Sequence, residues 1–343
     1  MKKLSIVLLS LGLAASCSSS KTETQPDEEI KETTEVAEAP AAATPDAIVV
    51  DAYQKYSAGD IEGTLAYFAE GAEWQEVGGP GGTTADMLAG YKGMMSDLQV
   101  APRRVFVAAD AGITVTQGVL KGTNDGAMPD GTPAANKPVA HDYLHIQWWN
   151  DEGKITKTWS LSNGTTIPKM AGLMPVPEGT APPVTSEWPT AGPEVVMASD
   201  NQANIDAVKA QAQAAVSGDF ETYKANMPDD YSGAAFGEHS LNITKDSSIA
   251  WLEGMHKSFT EGQLENVHIW SFVYYVVTVD KVTMKHTGDM GPMKATNKTV
   301  SIHFAGIYKC TYVKISWAET YSNPMELMMQ IMPPKADATA MAQ

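Results

Sequence analysis

From residue 47 the apolar positions first keep helical spacing. Ile48, Val49, Ala52, Tyr53 and Tyr56 share one face of a helix. Gly59 suits the residue that ends it, and Asp60 suits the cap of a second helix carrying Ile61, Leu65 and Phe68. A third helix is predicted over residues 84–98. The pattern then becomes that of strands. Residues 104–107, 113–120, 139–149 and 155–161 are rich in β-branched and aromatic side chains, and Asp151-Glu152-Gly153-Lys154 is a turn before the last of them. The same order starts again at residue 200. Ile205, Val208, Ala212 and Ala215 form a helix face, Gly218-Asp219 follows, and Phe220 and Tyr223 sit on the next helix. A helix over 245–259 precedes strands over 267–270, 272–279, 282–286, 300–308 and 311–321. Helices first and antiparallel strands afterwards predict an α+β fold.

Short identical strings accompany the repeated pattern. Ser57-Ala58-Gly59-Asp60 returns as Val216-Ser217-Gly218-Asp219, with Gly-Asp common to both. Gly93-Met94 returns as Gly254-Met255, Asn136-Lys137 as Asn297-Lys298, Lys154-Ile155 as Lys314-Ile315 and Ser162-Asn163 as Ser322-Asn323. A near-constant offset of about 160 residues is far longer than solenoid periods and predicts a duplicated domain. Between the copies lie Pro175, Pro177, Pro182, Pro183, Pro189 and Pro193, a semi-rigid linker. The expected boundaries are a signal peptide over 1–17, an acidic tether over 18–46, domains over 47–175 and 200–334, the linker over 176–199, and a tail over 335–343.

Met1-Lys2-Lys3 and the apolar run 4–13 read as a secretory signal too short to span a bilayer. Leu13-Ala14-Ala15-Ser16-Cys17 resembles the lipobox of bacterial lipoproteins, with Ala14 where that motif more often has Leu. The resemblance implies that Cys17 is acylated and becomes the mature N-terminus. The acidic, Pro-, Ala- and Thr-rich residues after it cannot bury enough apolar surface to fold. Ser18 rather than Asp after the cysteine is compatible with sorting to the outer membrane of a Gram-negative cell envelope. Net charge is −17, which disfavours nucleic acid and anionic headgroups as partners. Cys310 has no disulfide partner once Cys17 is acylated, and its strand-like surroundings suit a small buried hydrophobe.

A helix ending in Gly59-Asp60, then Trp74, Gly122-Thr123, the turn Gly153-Lys154-Ile155 and Trp159 follow the order seen in a known family. The first copy resembles the SnoaL-like polyketide cyclase and ester cyclase branch of the nuclear transport factor 2-like superfamily. The second resembles it more faintly, with the turn reduced to Lys314-Ile315. The resemblance implies two tandem cones, each about three helices on a curved antiparallel sheet and open at one end to a pocket for small apolar molecules. It also implies an acid–base aspartate a few residues beyond the last strand's Trp. That place falls on Asn163 in one copy and on Asn323 in the other. An asparagine cannot exchange a proton near neutral pH.

His141, Tyr143, His145, Gln147 and Trp149 alternate with Asp142, Leu144, Ile146 and Trp148, so the two sets occupy opposite faces of a strand. Such a polar and aromatic row suits a pocket wall and equally a half-exposed sheet face. Four residues of strand separate His141 and His145 by roughly 13 Å, too far to share one ion, and no metal is expected. The candidate acid–base groups are His141, Asp142 and His145. The candidate ligand contacts are Trp74, Tyr143, His145, Trp159, Asn163, His303 and Asn323, with His303 near the register of Asp142. The chain has no phosphate loop, serine elbow, HExxH helix or Cys–His cluster, and no cofactor is expected.

These features predict a lipid-anchored module that binds a small apolar ligand or an envelope partner protein without catalysis. The alternatives are a SnoaL-like cyclase, isomerase or hydrolase using a histidine, and a structural module with filled cones. A cavity of roughly 300 Å³ or more lined by Trp74, His145 and Trp159 is the feature that separates them.

Overall fold

Pro45 at the first turn, with Asp46 beside it, starts helix α1 (Pro45–Ser57), because a residue without an N–H and an acid both suit a helix N-terminus. The last two residues assigned to the tether are therefore helical. Gly59 turns the chain with φ +82°, and the Asp60 carboxylate accepts the Gly63 N–H at 2.8 Å to cap α2 (Ile61–Leu65). There follow β1 (Phe68–Glu76), β2 (Gly81–Thr83), α3 (Thr84–Met94), β3 (Gln99–Ala108), β4 (Ile113–Thr123), β5 (Pro138–Trp149), β6 (Ile155–Ser162) and α4 (Thr166–Ala171). A short strand β7 (Glu194–Met197) lies in the proline-rich stretch. The order then repeats as α5 (Gln202–Ser217), α6 (Phe220–Ala225), β8 (Ser232–Ala235), β9 (Glu238–Thr244), α7 (Lys245–Ser258), β10 (Phe259–Phe272), β11 (Tyr275–His286), β12 (Thr299–Thr311), β13 (Lys314–Tyr321) and α8 (Pro324–Ile331). These elements come from a computed structural model, which describes residues 43–332 apart from 80, 130, 177–182, 184, 236–237 and 291–292. The signal peptide, Cys17, most of the tether and the tail lie outside the described residues.

The fold is α+β with two sheets. The first has strand order β2-β1-β6-β5-β4-β3-β7 and the second β9-β8-β13-β12-β11-β10, so the halves share one topology up to β7. Each sheet is mixed rather than antiparallel throughout, because β1 runs parallel to β6 and β8 parallel to β13. Neither of those strands follows a strand-like pattern. β1 carries three glutamates, and β8 is Ser-Gly-Ala-Ala. The three strands expected over 267–286 are one long hairpin, β10 and β11, whose turn at Val273-Tyr274 has no turn-forming residue. β7 pairs parallel with β3, which makes part of the proline-rich stretch an edge strand of the first sheet.

Each half has its own inner core. In the first, α1 lays Val49, Tyr53 and Tyr56 against Trp74, Leu88, Met95, Leu98 and Tyr143. In the second, one cluster holds Val208, Met227, Tyr231, Val276, Cys310 and Ile315, and another holds Phe259, Met284, Ile302, Leu327 and Ile331. A further core joins the backs of the two sheets. Phe106, Ile113, Val115, Leu144, Ile146 and Leu161 meet Phe272, Tyr275, Val277, Val279, Ile307 and Tyr321. The Phe106 ring lies 5.0 Å from Phe272 and 5.5 Å from Tyr275. The halves are thus packed back to back by side chains as well as joined by the linker.

Buried charge lies beside that seam. Arg103 Nη2 is 3.0 Å from Glu319 Oε1 and 3.4 Å from Asp142 Oδ1. The Tyr321 hydroxyl donates to Glu319 at 2.5 Å and accepts from Gln117 at 2.9 Å, while the Ser186 N–H donates to Asp142 at 2.9 Å. Removing one member of a buried ionic cluster strands the others without compensation. Arg103→Met should therefore lower stability by about 3–5 kcal/mol in urea titrations. Adding Asp142→Asn and Glu319→Gln to it should recover part of the loss.

Candidate functional site

The inward face of β5 carries His141, Tyr143 and His145, and in the first half that face is closed by its neighbours. Tyr143 and His145 stack at 4.2 Å, Trp74 meets His145 edge-on at 4.9 Å, and the Tyr53 hydroxyl is 2.6 Å from His145 Nδ1. Burial depresses the His145 pKa to about 3 and that of His141 to about 4, so both rings are neutral at pH 7. A neutral ring whose Nδ1 accepts from Tyr53 carries its proton on Nε2. Glu76 Oε1 accepts from Trp74 Nε1 at 2.9 Å and from the Tyr91 hydroxyl at 3.1 Å, and burial raises its pKa. The first cone is therefore packed with aromatic and imidazole rings.

The other sequence-derived candidates disperse. Asp142 faces the opposite side of β5 from His141 and belongs to the Arg103 cluster, so the two cannot act as a pair. Trp159 packs on the back of the sheet, 5.2 Å from Trp148 and 5.4 Å from His268, and forms no wall of the first cone. Asn163 accepts from the Thr165 N–H at 3.0 Å and hydroxyl at 2.8 Å at the start of α4. Asn323 caps α8 by accepting the Met325 N–H at 3.1 Å, and its amide donates to the Gly78 carbonyl at 3.2 Å. His303 is held by Glu326 on α8, with Nδ1 at 2.7 Å from Oε1. Cys17 lies outside the described residues.

A cavity of about 550 Å³ opens in the second half instead. Its apolar wall includes Ala212 and Ala215 of α5, Trp251 and Met255 of α7, Phe259 and Leu264 of β10, Val282 and Met284 of β11, and Phe304 of β12. Neither this cavity nor a shallower recess of about 400 Å³ beside Lys121 and Met170 is lined by Trp74, His145 or Trp159. Corresponding positions of the two halves carry side chains of different size. Counted back from Gly59 and Gly218, Tyr53 and Tyr56 stand where the second half has Ala212 and Ala215. Trp74 faces Thr158 across β1 and β6, whereas Gly233 faces Ala318 across β8 and β13. His145 faces Thr116 and Ser160, whereas Gly306 faces Thr278 and Thr320. Of these four exchanges, Ala212 and Ala215 border the cavity, whereas the Tyr308 ring lies over Gly306, and the Ala318 carbonyl and Tyr231 hydroxyl crowd Gly233.

Polar groups project into that space. Asp280, 5% exposed, stands at the position of Gly118, opposite Phe304. Its Oδ1 accepts from Asn266 Nδ2 at 2.6 Å and its Oδ2 from the Thr278 hydroxyl at 2.7 Å. Burial raises the Asp280 pKa more than these two donors lower it. Tyr223, Tyr231 and Tyr308 also line the cavity, each with its phenol pKa raised by burial, and the buried Gln211 Oε1 has no hydrogen-bond partner. Sequence reasoning missed all five. The available signal was Asp280, a lone carboxylate on the strand face of Val276, Thr278, Val282 and Met284. Among the described residues no group of three His, Cys, Asp or Glu side chains could hold a metal ion.

Residues 49–158 match the family of SnoaL-like domains, so the first half contains a SnoaL-like domain. No curated protein matches the chain. Among solved structures, a putative hydroxylase, AclR, from Streptomyces galilaeus is similar at 18% identity and TM-score 0.36, over 40% of this chain and 88% of that one. A putative polyketide cyclase from Xanthomonas campestris pv. campestris is similar at 17% identity and TM-score 0.36, over 39% of this chain and 100% of that one. An epoxide hydrolase of the LEH-like type from M. tuberculosis is similar at 18% identity and TM-score 0.31, over 39% and 92%.

The neutral histidines of the first cone give a pH signature. Below pH 6.5 an unfolded chain takes up protons at His141 and His145 that the folded chain does not until about pH 4 and 3. Stability should therefore fall as pH drops from 6.5 toward 4. His141→Asn should flatten that slope in urea midpoints measured across the range.

Proposed function

We propose that the second half binds one small, mostly apolar molecule bearing a hydrogen-bonding group, and that acylated Cys17 holds this binding module at the cell envelope. The observation that carries the reading is the cavity itself. It is large enough for a small ligand, its wall is apolar, and a few buried polar groups converge on it. Asp280, Gln211 and Tyr308 offer donors and acceptors to orient the polar end. Binding without turnover fits Asn163 and Asn323, which stand where the SnoaL-like resemblance implies a catalytic aspartate and here serve helix starts. The lipobox-like sequence supports anchoring, and Ser18 supports an outer-membrane address.

A second reading rests on Asp280. A buried carboxyl with a raised pKa inside a cavity is equipped for general acid–base work on a substrate in that cavity. If the protein turns over such a substrate, Asp280→Asn should lower kcat at least about 100-fold while changing binding little.

The binding reading is tested with the mature chain and N-phenyl-1-naphthylamine, a neutral apolar fluorophore. Wild type should enhance its emission saturably, and Ala212→Tyr/Ala215→Tyr should weaken the dye's affinity at least tenfold with no fall in Tm. Equal affinity in the filled variant would remove the cavity from the argument. Metabolic labelling with palmitate, lost in Cys17→Ser, tests the anchor separately.

A further inference from the structure

The two hairpin tips at one end of the second sheet are apolar, exposed and strained. Tyr312 is 94% exposed, Tyr274 64%, Val313 51% and Val273 42%. The tips are adjacent, since the Cys310 N–H donates to the Tyr274 carbonyl at 2.7 Å. Tyr312 and Val313 form the two-residue turn between β12 and β13 with φ of +50° and +55°, and Val273 has φ +49°. Positive φ at both turn positions is the geometry that Asn-Gly adopts readily and that β-branched residues resist. Folding alone does not account for this choice. In the first half, the corresponding turns hold Asp151-Glu152-Gly153, with φ +70° at Gly153, and Ala109-Asp110-Ala111-Gly112, with φ +62° at Gly112. The same two turns are polar and relieved by glycine in one half, apolar and strained in the other. Strain kept at an exposed site points to a use for its side chains.

We infer that these tips dip into the interfacial layer of a lipid bilayer. Tyrosine suits that layer, with a ring in the acyl boundary and a hydroxyl at the headgroups. Exposed Lys309 and Lys314 flank the turn, and neither tip carries an acid. The net charge of −17 argues against anionic headgroups and favours a zwitterionic surface. A bilayer is chosen over a protein partner because acylation of Cys17, as proposed above, keeps one within reach.

The test uses residues 18–343, which lack both the apolar run 4–13 and Cys17, so that neither a signal segment nor an acyl chain contributes. Flotation with phosphatidylcholine–phosphatidylethanolamine vesicles should recover this chain. Adding Tyr312→Asn/Val313→Gly should cut recovery at least fivefold while raising Tm by about 2 °C, because Asn-Gly relieves the turn. Equal flotation of the two chains, or no flotation of the first, overturns the inference. So does self-association of the first chain by light scattering that the turn variant abolishes without any vesicle binding.

Discussion

The back-to-back contact of the two sheets is the constraint on which the rest of the molecule depends. Each sheet has an inner face that closes a cone and an outer face that must also be covered. Phe106 against Phe272 and Tyr275, with Leu144, Ile146, Val277 and Ile307 around them, covers both outer faces at once. This arrangement assigns alternate residues of every long strand to different tasks. On β5, His141, Tyr143 and His145 serve the cone, while Leu144 and Ile146 serve the seam and Asp142 serves the ionic cluster beside it. A one-residue change of register would exchange the two sets and expose or bury the wrong groups.

Within that frame the halves differ in how their interiors are filled. In the first cone, rings from α1, β1 and β5 occupy the interior, and burial keeps the two histidines neutral. In the second, Ala212 and Ala215 stand where Tyr53 and Tyr56 fill the first, and they border a cavity that Asp280 also lines. Two halves with the same strand order up to β7 thus differ in their interiors, one filled by rings and one holding a cavity. The first half matches the SnoaL-like domains by sequence, yet the second has the open pocket that the resemblance implies. Likeness of sequence tracked the scaffold, and the pocket followed side-chain volume.

The buried charge beside the seam and the carboxylate in the cavity illustrate two solutions to one cost. Asp142 and Glu319 are buried against Arg103 and hydroxyl and amide donors, and burial still raises the Asp142 pKa against that cation. Asp280 has only Thr278 and Asn266 and lies in an otherwise mostly apolar wall. Burial raises its pKa, and only neutral donors oppose the rise.

Helix faces such as Ile48–Tyr56, caps at Asp60 and Asp219, and the alternation along β5 were legible in the sequence because they depend on neighbours a few residues away. The repeated layout was legible from matching strings about 160 residues apart, and the asparagines at 163 and 323 from the family resemblance. β1 and β8 were not, since their parallel pairing with β6 and β13 comes from distant chain and their composition is poor in strand formers. Trp159 and Trp74 looked alike as sequence, yet one lies on the seam and the other in the cone. Which cone stays open was decided in three dimensions. Ala212 and Ala215 border open space only because α5, α7 and strands β10 to β12 meet around them, and the volume left there is a sum over side chains that meet only in the folded chain.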